Sequence, residues 1–162
     1  MAFCFNVDEI LTMAEQIERN GAAFYRAAAE IATDEAVRAK LVELAEMEDG
    51  HVTLFAEMRS ELAAEETATS TYDPEGEVGH YLEAMADASV FDRSTGPTDL
   101  VVGKSTAEIL RLALGFEKDS ILFYLGLKAS LCGAANRERI DRILQEEMSH
   151  VALLRGQLMA LS

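Results

Sequence analysis

Two tetrapeptides hold the residue types that could do chemistry in this chain. They are Glu48-Asp49-Gly50-His51 and, ninety-nine positions later, Glu147-Met148-Ser149-His150. Residues three apart on a helix share a face, so a Glu and a His at this spacing can grip one metal ion together. Glu18 lies thirty positions before Glu48, and Glu117 lies thirty before Glu147. At equal distances after these come the aromatic pairs Phe24-Tyr25 and Phe123-Tyr124. The chain therefore reads as one helix pair written twice, closing around two metal ions. Four carboxylates and two imidazoles suit iron or manganese and can also bind zinc. Two divalent ions would match the charge of four ionised carboxylates. Without metal, such a cluster repels itself and some of its members must take up protons.

A single Glu-x-x-His is a weak signal, because on most helices it is a solvated pair. Asp and Glu make up 29 of 162 residues, so an acid falls on any chosen position about one time in six by chance. The argument for metal is a joint one. It rests on two copies, two upstream acids at equal spacing, and all six residues on otherwise apolar helix faces. Duplication alone could preserve the spacing, but it would not keep acids in a core. Tyr25 and Tyr124 read either as core aromatics or as hydrogen-bond donors to the carboxylates across the bundle. Glu146 is rotated off the ligand face and reads as solvated. Met47 and Met148 read as core filler, and His80 as a surface residue.

The elements that must position these groups follow from periodicity. A first helix is expected over Val7–Ile31, with Asn6 as cap and an inward stripe of Leu11, Ala14, Glu18, Gly21, Tyr25 and Ala28. Thr33-Asp34 makes a turn into a second helix over 34–64, whose stripe is Leu41, Leu44, Glu48, His51, Phe55 and Leu62. So short a turn makes the two antiparallel neighbours. The polar run 67–74 ends the second helix. A long connection follows, with a short helix expected over 75–88 (Leu82 and Met85 inward) and a turn over 94–99.

A third helix is expected from a Ser105–Glu108 capping box to Leu131, with Leu110, Leu114, Glu117, Ile121 and Tyr124 inward. After a turn at 132–136 comes a fourth helix over 137–160, with Ile140, Ile143, Glu147, His150, Leu154 and Leu158 inward. The expected fold is an all-α four-helix bundle of two antiparallel hairpins joined by a long crossover. The third helix is expected to start at the same end of the bundle as the first, and the crossover to carry the chain back along it.

Composition agrees. A chain of 162 residues that is 49% hydrophobic, with 2 Pro and 10 Gly, is expected to form one helical domain spanning 1–162. A formal net charge of −15 argues against nucleic acid and against an anionic membrane surface. No apolar run is long enough to span a bilayer, and the first residues do not resemble a signal peptide, so a cytoplasmic location is expected. Cys4 and Cys132 form no C-x-x-C, which leaves no thiolate electron-transfer module, and they read as reduced thiols.

The pattern Glu18, Glu48-x-x-His51, Glu117, Glu147-x-x-His150 resembles the ferritin-like di-iron carboxylate superfamily, most closely its rubrerythrin branch. The phrase Glu117-Lys118-Asp119-Ser120 with Phe123-Tyr124 is particularly similar to that branch. The resemblance implies two iron ions bridged by carboxylates and reactive toward peroxide or dioxygen. Glu48 and Glu147 would bridge, Glu18 and Glu117 would be terminal, and His51 and His150 would serve one ion each. It also implies a homodimer or higher homo-oligomer and an external electron donor protein, because the chain lacks the rubredoxin part that rubrerythrins usually carry. Ser120 stands where those proteins usually have a further carboxylate, which puts peroxidase activity in question. Two rivals stay open: iron oxidation with storage or delivery, as in ferritins, and a structural bundle with a vestigial site.

Overall fold

In a computed structural model of the chain, residues 7–65, 77, 80, 81, 84, 95–130 and 134–161 are described. The helices whose bounds fall among the described residues are α1 (Val7–Ile31), α2 (Glu35–Glu65), α3 (Pro97–Val101), α4 (Thr106–Ser130) and α5 (Ala134–Ala160). α1 packs chiefly on α2 and α4 chiefly on α5, while narrower contacts join α1 to α4 and α2 to α5. This is the expected all-α four-helix bundle of two hairpins.

Local chemistry sets the helix ends. The Val37 N–H donates to Asp34 Oδ1 at 3.0 Å, capping α2. The Arg38 guanidinium donates to the carbonyls of Ala29 (3.2 Å) and Ala32 (2.6 Å), closing the exposed end of α1. At α4 the capping box forms in both directions: the Ser105 N–H reaches Glu108 Oε2 at 2.7 Å, and the Glu108 N–H reaches Ser105 Oγ at 3.3 Å.

The expected turn over 94–99 is in part helical, because Pro97 is well placed in a first turn and Val101 is buried. Gly103, at φ 73°, then supplies the left-handed residue that releases the chain toward α4. α5 begins three residues before the expected 137, since Ala134 and Ala135 are strong helix formers and nothing there breaks the helix. Within the crossover, Glu77, His80, Tyr81 and Ala84 are helical. Asn6, Cys4, Cys132, Leu82, Met85, the run 67–74 and the side chain of Leu62 lie outside the described residues.

Two apolar cores flank a central polar layer. One gathers Phe24 to Ala29 of α1 with Ala32 just beyond it, Val37 to Ala45 of α2, Ile109 to Ala113 of α4 and Leu154 of α5. The other gathers Ile10 to Ile17, Phe55 and Met58, Phe123 to Leu127, and Ile140 to Leu144. Adding ninety-nine to a residue number exchanges them: Leu41 and Leu44 of the first core become Ile140 and Ile143 of the second, and Phe55 of the second becomes Leu154 of the first.

The expected direction of the third helix is thereby corrected. α4 starts beside the α1–α2 turn, at the end where α1 finishes, so α1 and α4 run antiparallel. The two hairpins are related by a twofold across the bundle axis, and the end of α2 and the start of α4 lie at opposite ends of the bundle. On α4 the inward stripe is also rotated: Leu114 and Ile121 are only partly buried, while Ala113, Phe123 and Leu127 are fully buried. Burying one large apolar side chain contributes roughly 1.5–3 kcal/mol. Two such cores are what offsets an acidic layer between them.

Candidate metal centre

Each long helix delivers one carboxylate to the middle layer, and α2 and α5 each add an imidazole one turn further on. Glu18, Glu48, His51, Glu117, Glu147 and His150 are all buried, at 1–4% exposure. They assemble into two overlapping quartets, Glu18/Glu48/His51/Glu147 and Glu48/Glu117/Glu147/His150, with the ligand atoms of each within 4.8 Å of one another. Glu48 and Glu147 belong to both.

The geometry repeats across the twofold. His51 Nδ1 lies 3.3 Å from Glu18 Oε2, and His150 Nδ1 lies 3.3 Å from Glu117 Oε2. The two rings stack, with centroids 5.9 Å apart. The Tyr25 hydroxyl donates to Glu117 Oε1, and the Tyr124 hydroxyl donates to Glu18 Oε1. Both readings of these tyrosines therefore hold at once: the rings are buried in the cores, and the hydroxyls bind carboxylates of the opposite hairpin.

Electrostatics in this layer favour extra protons. Burial, followed by the charge of Glu18, pushes the Glu48 carboxyl well above its ordinary range. Burial and a hydrogen bond with Glu117 raise that of Glu147. For His150, burial opposes the charged ring, but hydrogen bonds to Glu117 and Glu147 prevail and push it up to about 10. His51 is raised as well: burial again opposes, and Glu147, Glu18 and Glu48 outweigh it. Burial and then the nearby carboxylate charges keep Tyr25 and Tyr124 protonated far above their usual range.

Two surroundings differ from expectation. Glu146 is not merely solvated: its Oε2 sits 2.7 Å from His51 Nε2, although the side chain is 51% exposed. Helix rotation takes it off the ligand face but leaves it able to reach the imidazole from outside. The signal that could have found it is its place one residue before Glu147, on a helix edge facing α2. Met148 is 54% exposed rather than core, because helix rotation carries it off the face shared by Glu147 and His150, whereas Met47 is partly buried. His80 is exposed, as expected. One acid went unnoticed in the sequence: Glu15 is 4% exposed and is held by Arg19 at 3.2 Å and Arg59 at 2.9 Å.

The donor set fits a pair of cations. Its oxygens and imidazole nitrogens converge in a buried layer, and buried His150 Nε2 has no hydrogen-bond partner among the described residues. No helix among the described residues is long and apolar enough to cross a membrane.

No protein of curated function matches the chain. A solved structure from Thermotoga maritima, provisionally described as a ferritin-like diiron-carboxylate protein, superposes with a TM-score of 0.70. It is 22% identical, with 98% of this chain and 97% of that one covered; at this identity the likeness speaks for the fold. Residues 6–160 match the model of the ferritin-like domain family, and the chain belongs to that family.

Proposed function

We propose that this protein holds two iron ions in the central layer and reacts with peroxide or dioxygen. One observation carries the reading: the two quartets share Glu48 and Glu147, which is the arrangement two adjacent cations need. Glu18 and Glu117 would be terminal ligands, and His51 and His150 would each offer Nδ1. When bound, two ferrous ions would supply the electrons that reduce the oxidant, and an external donor protein would restore them.

The chain's own part is to hold and shield. Tyr124 and Tyr25 fix one oxygen each of Glu18 and Glu117, leaving the second oxygen of each toward the histidines. The cores above and below exclude water. A cleft of about 10 Å³ beside Glu48 and Glu117, lined by Ile17, Gly21, Phe116 and Ser120, reaches the layer. That is room for about one water-sized molecule, which supports a small oxidant over an organic substrate. Ser120 on this cleft also supports a second reading, ferrous oxidation for storage or delivery, since it brings no further carboxylate to the layer.

The test is to load the protein with ferrous iron without air, count the iron, and add peroxide while recording the visible spectrum. Near two irons per chain and a fast ferric absorption band are expected. Failure to take up iron or manganese would sink the proposal. A cage-forming assembly that accumulates many irons per chain would favour the storage reading, and a dimer the rubrerythrin-like one.

A further inference from the structure

The twofold that matches every candidate ligand fails one position away. His51 and His150 occupy equivalent places, and each turns Nδ1 toward three carboxylates. For His51 these are Glu147 (3.1 Å), Glu18 (3.3 Å) and Glu48 (3.7 Å). For His150 they are Glu117 (3.3 Å), Glu48 (3.6 Å) and Glu147 (3.7 Å). The far nitrogens differ. His51 Nε2 meets Glu146 Oε2 at 2.7 Å, whereas His150 Nε2 is buried with no hydrogen-bond partner among the described residues.

The repeat explains why. The position equivalent to Glu146, ninety-nine residues earlier, is Met47, whose thioether is a poor acceptor. A carboxylate on the far nitrogen of a metal-binding imidazole keeps the proton there, leaves the near lone pair free for the metal, fixes the ring and raises its basicity. Among the described residues, one half of this site has that device and the other does not.

We infer that Glu146 is a positioning residue that makes the two metal positions unequal, with the Glu18/Glu48/His51/Glu147 position filling first and holding its ion more tightly. The inference rests on the two-metal reading above. Glu146 acts from outside the layer, on a half-exposed side chain, so its removal leaves the helical packing intact.

The experiment titrates metal-stripped full-length protein with Co²⁺ and follows visible absorption, with helicity and melting of the metal-free variants as a control on folding. Two separate steps are expected for the parent. Glu146→Ala should weaken the tighter step by about 10–100-fold and bring the two steps together. Glu146→Gln, which still offers an oxygen to the Nε2 proton, should recover most of that loss, a rescue that a merely structural role would not give. Met47→Glu should tighten the weaker step. Uptake of two ions with the tighter step unmoved by Glu146→Ala overturns this inference and leaves the two-metal reading standing. Absence of Co²⁺ uptake by the parent overturns both.

Discussion

The α1–α2 hairpin and the α4–α5 hairpin each supply three of the centre's six residues but surround them differently. Glu18, Tyr25, Glu48 and His51 map onto Glu117, Tyr124, Glu147 and His150 in position and burial, and each tyrosine holds the other half's glutamate. One turn out, the correspondence lapses. Buried Glu15 with Arg59 in the first hairpin stands where the second has Leu114 and Leu158, both packed against an apolar core. Glu146 stands where the first hairpin has Met47, and Ser120 where it has Gly21. The two halves agree where a side chain faces the layer and diverge where it only supports the layer or the core.

The largest expected effect separates the shared acids from the unshared ones. Glu48→Ala or Glu147→Ala removes an atom from both quartets and should lower affinity for both ions by more than about 100-fold. Glu18→Ala or Glu117→Ala should cost mainly one ion, leaving near one metal per chain. Metal counting after gel filtration decides this. Equal stoichiometry from all four variants would mean that the quartets do not overlap in solution as they do here.

The next effect is on stability against pH. Glu48, Glu147, His51 and His150 all have folded pKa values raised above their unfolded ones, so the metal-free folded state binds more protons than the unfolded chain. Stability of the metal-free protein should therefore fall as pH rises. The His150 share is fully present below its unfolded pKa of about 6.5 and lost as pH climbs toward about 10. The slope is about 1.4 kcal/mol per pH unit for each extra proton held. Metal must displace these protons, so the Tm gained on metal addition should grow with pH over the same range. Melting curves with and without Mn²⁺ at several pH values would show the two trends diverging; parallel trends would show that metal does not replace the protons.

Much of this centre was legible in the chain because burial and acidity conflict. An acid on an apolar stripe needs a reason, and four acids at repeated spacing share one. The direction of α4 was not legible, since the stripe containing Glu117 and Tyr124 has an apolar side chain on either flank and reads equally well from both ends of the bundle. Tyr25 can reach Glu117, and Tyr124 can reach Glu18, in this reciprocal way when α1 and α4 run antiparallel. Glu146 was missed for a related reason. Helix periodicity tells which face a side chain leaves from, but a glutamate is long enough to reach an imidazole on a neighbouring helix from outside the shared face.

The tyrosine pair gives a smaller and sharper test of the twofold. Tyr25→Phe and Tyr124→Phe each remove a buried hydrogen bond to a carboxylate while keeping the ring, and should each cost about 1.5–3 kcal/mol in the metal-loaded protein. The two losses should agree, because the partners are equivalent. Denaturant melts of both variants would measure it. A large inequality would move the break in symmetry from Glu146 into the centre itself.

The smallest effect concerns the pair that the second hairpin lacks. Arg59 is partly exposed and holds Glu15 together with Asp8 at 2.8 Å, while Arg19 gives Glu15 a second partner. Arg59→Leu should therefore cost only about 1 kcal/mol, well short of a fully buried pair. Leu114 and Leu158 show that the equivalent places in the other half accept apolar side chains. Glu15→Leu combined with Arg59→Leu should thus be less destabilising than Arg59→Leu alone, since it removes the buried carboxylate that would be left with Arg19 as its one partner among these residues. Metal stoichiometry should stay unchanged in both, because neither residue belongs to a quartet. A double variant worse than the single would mean that the first hairpin packs its end around the ion pair itself, and that the two halves have diverged in shape as well as in chemistry.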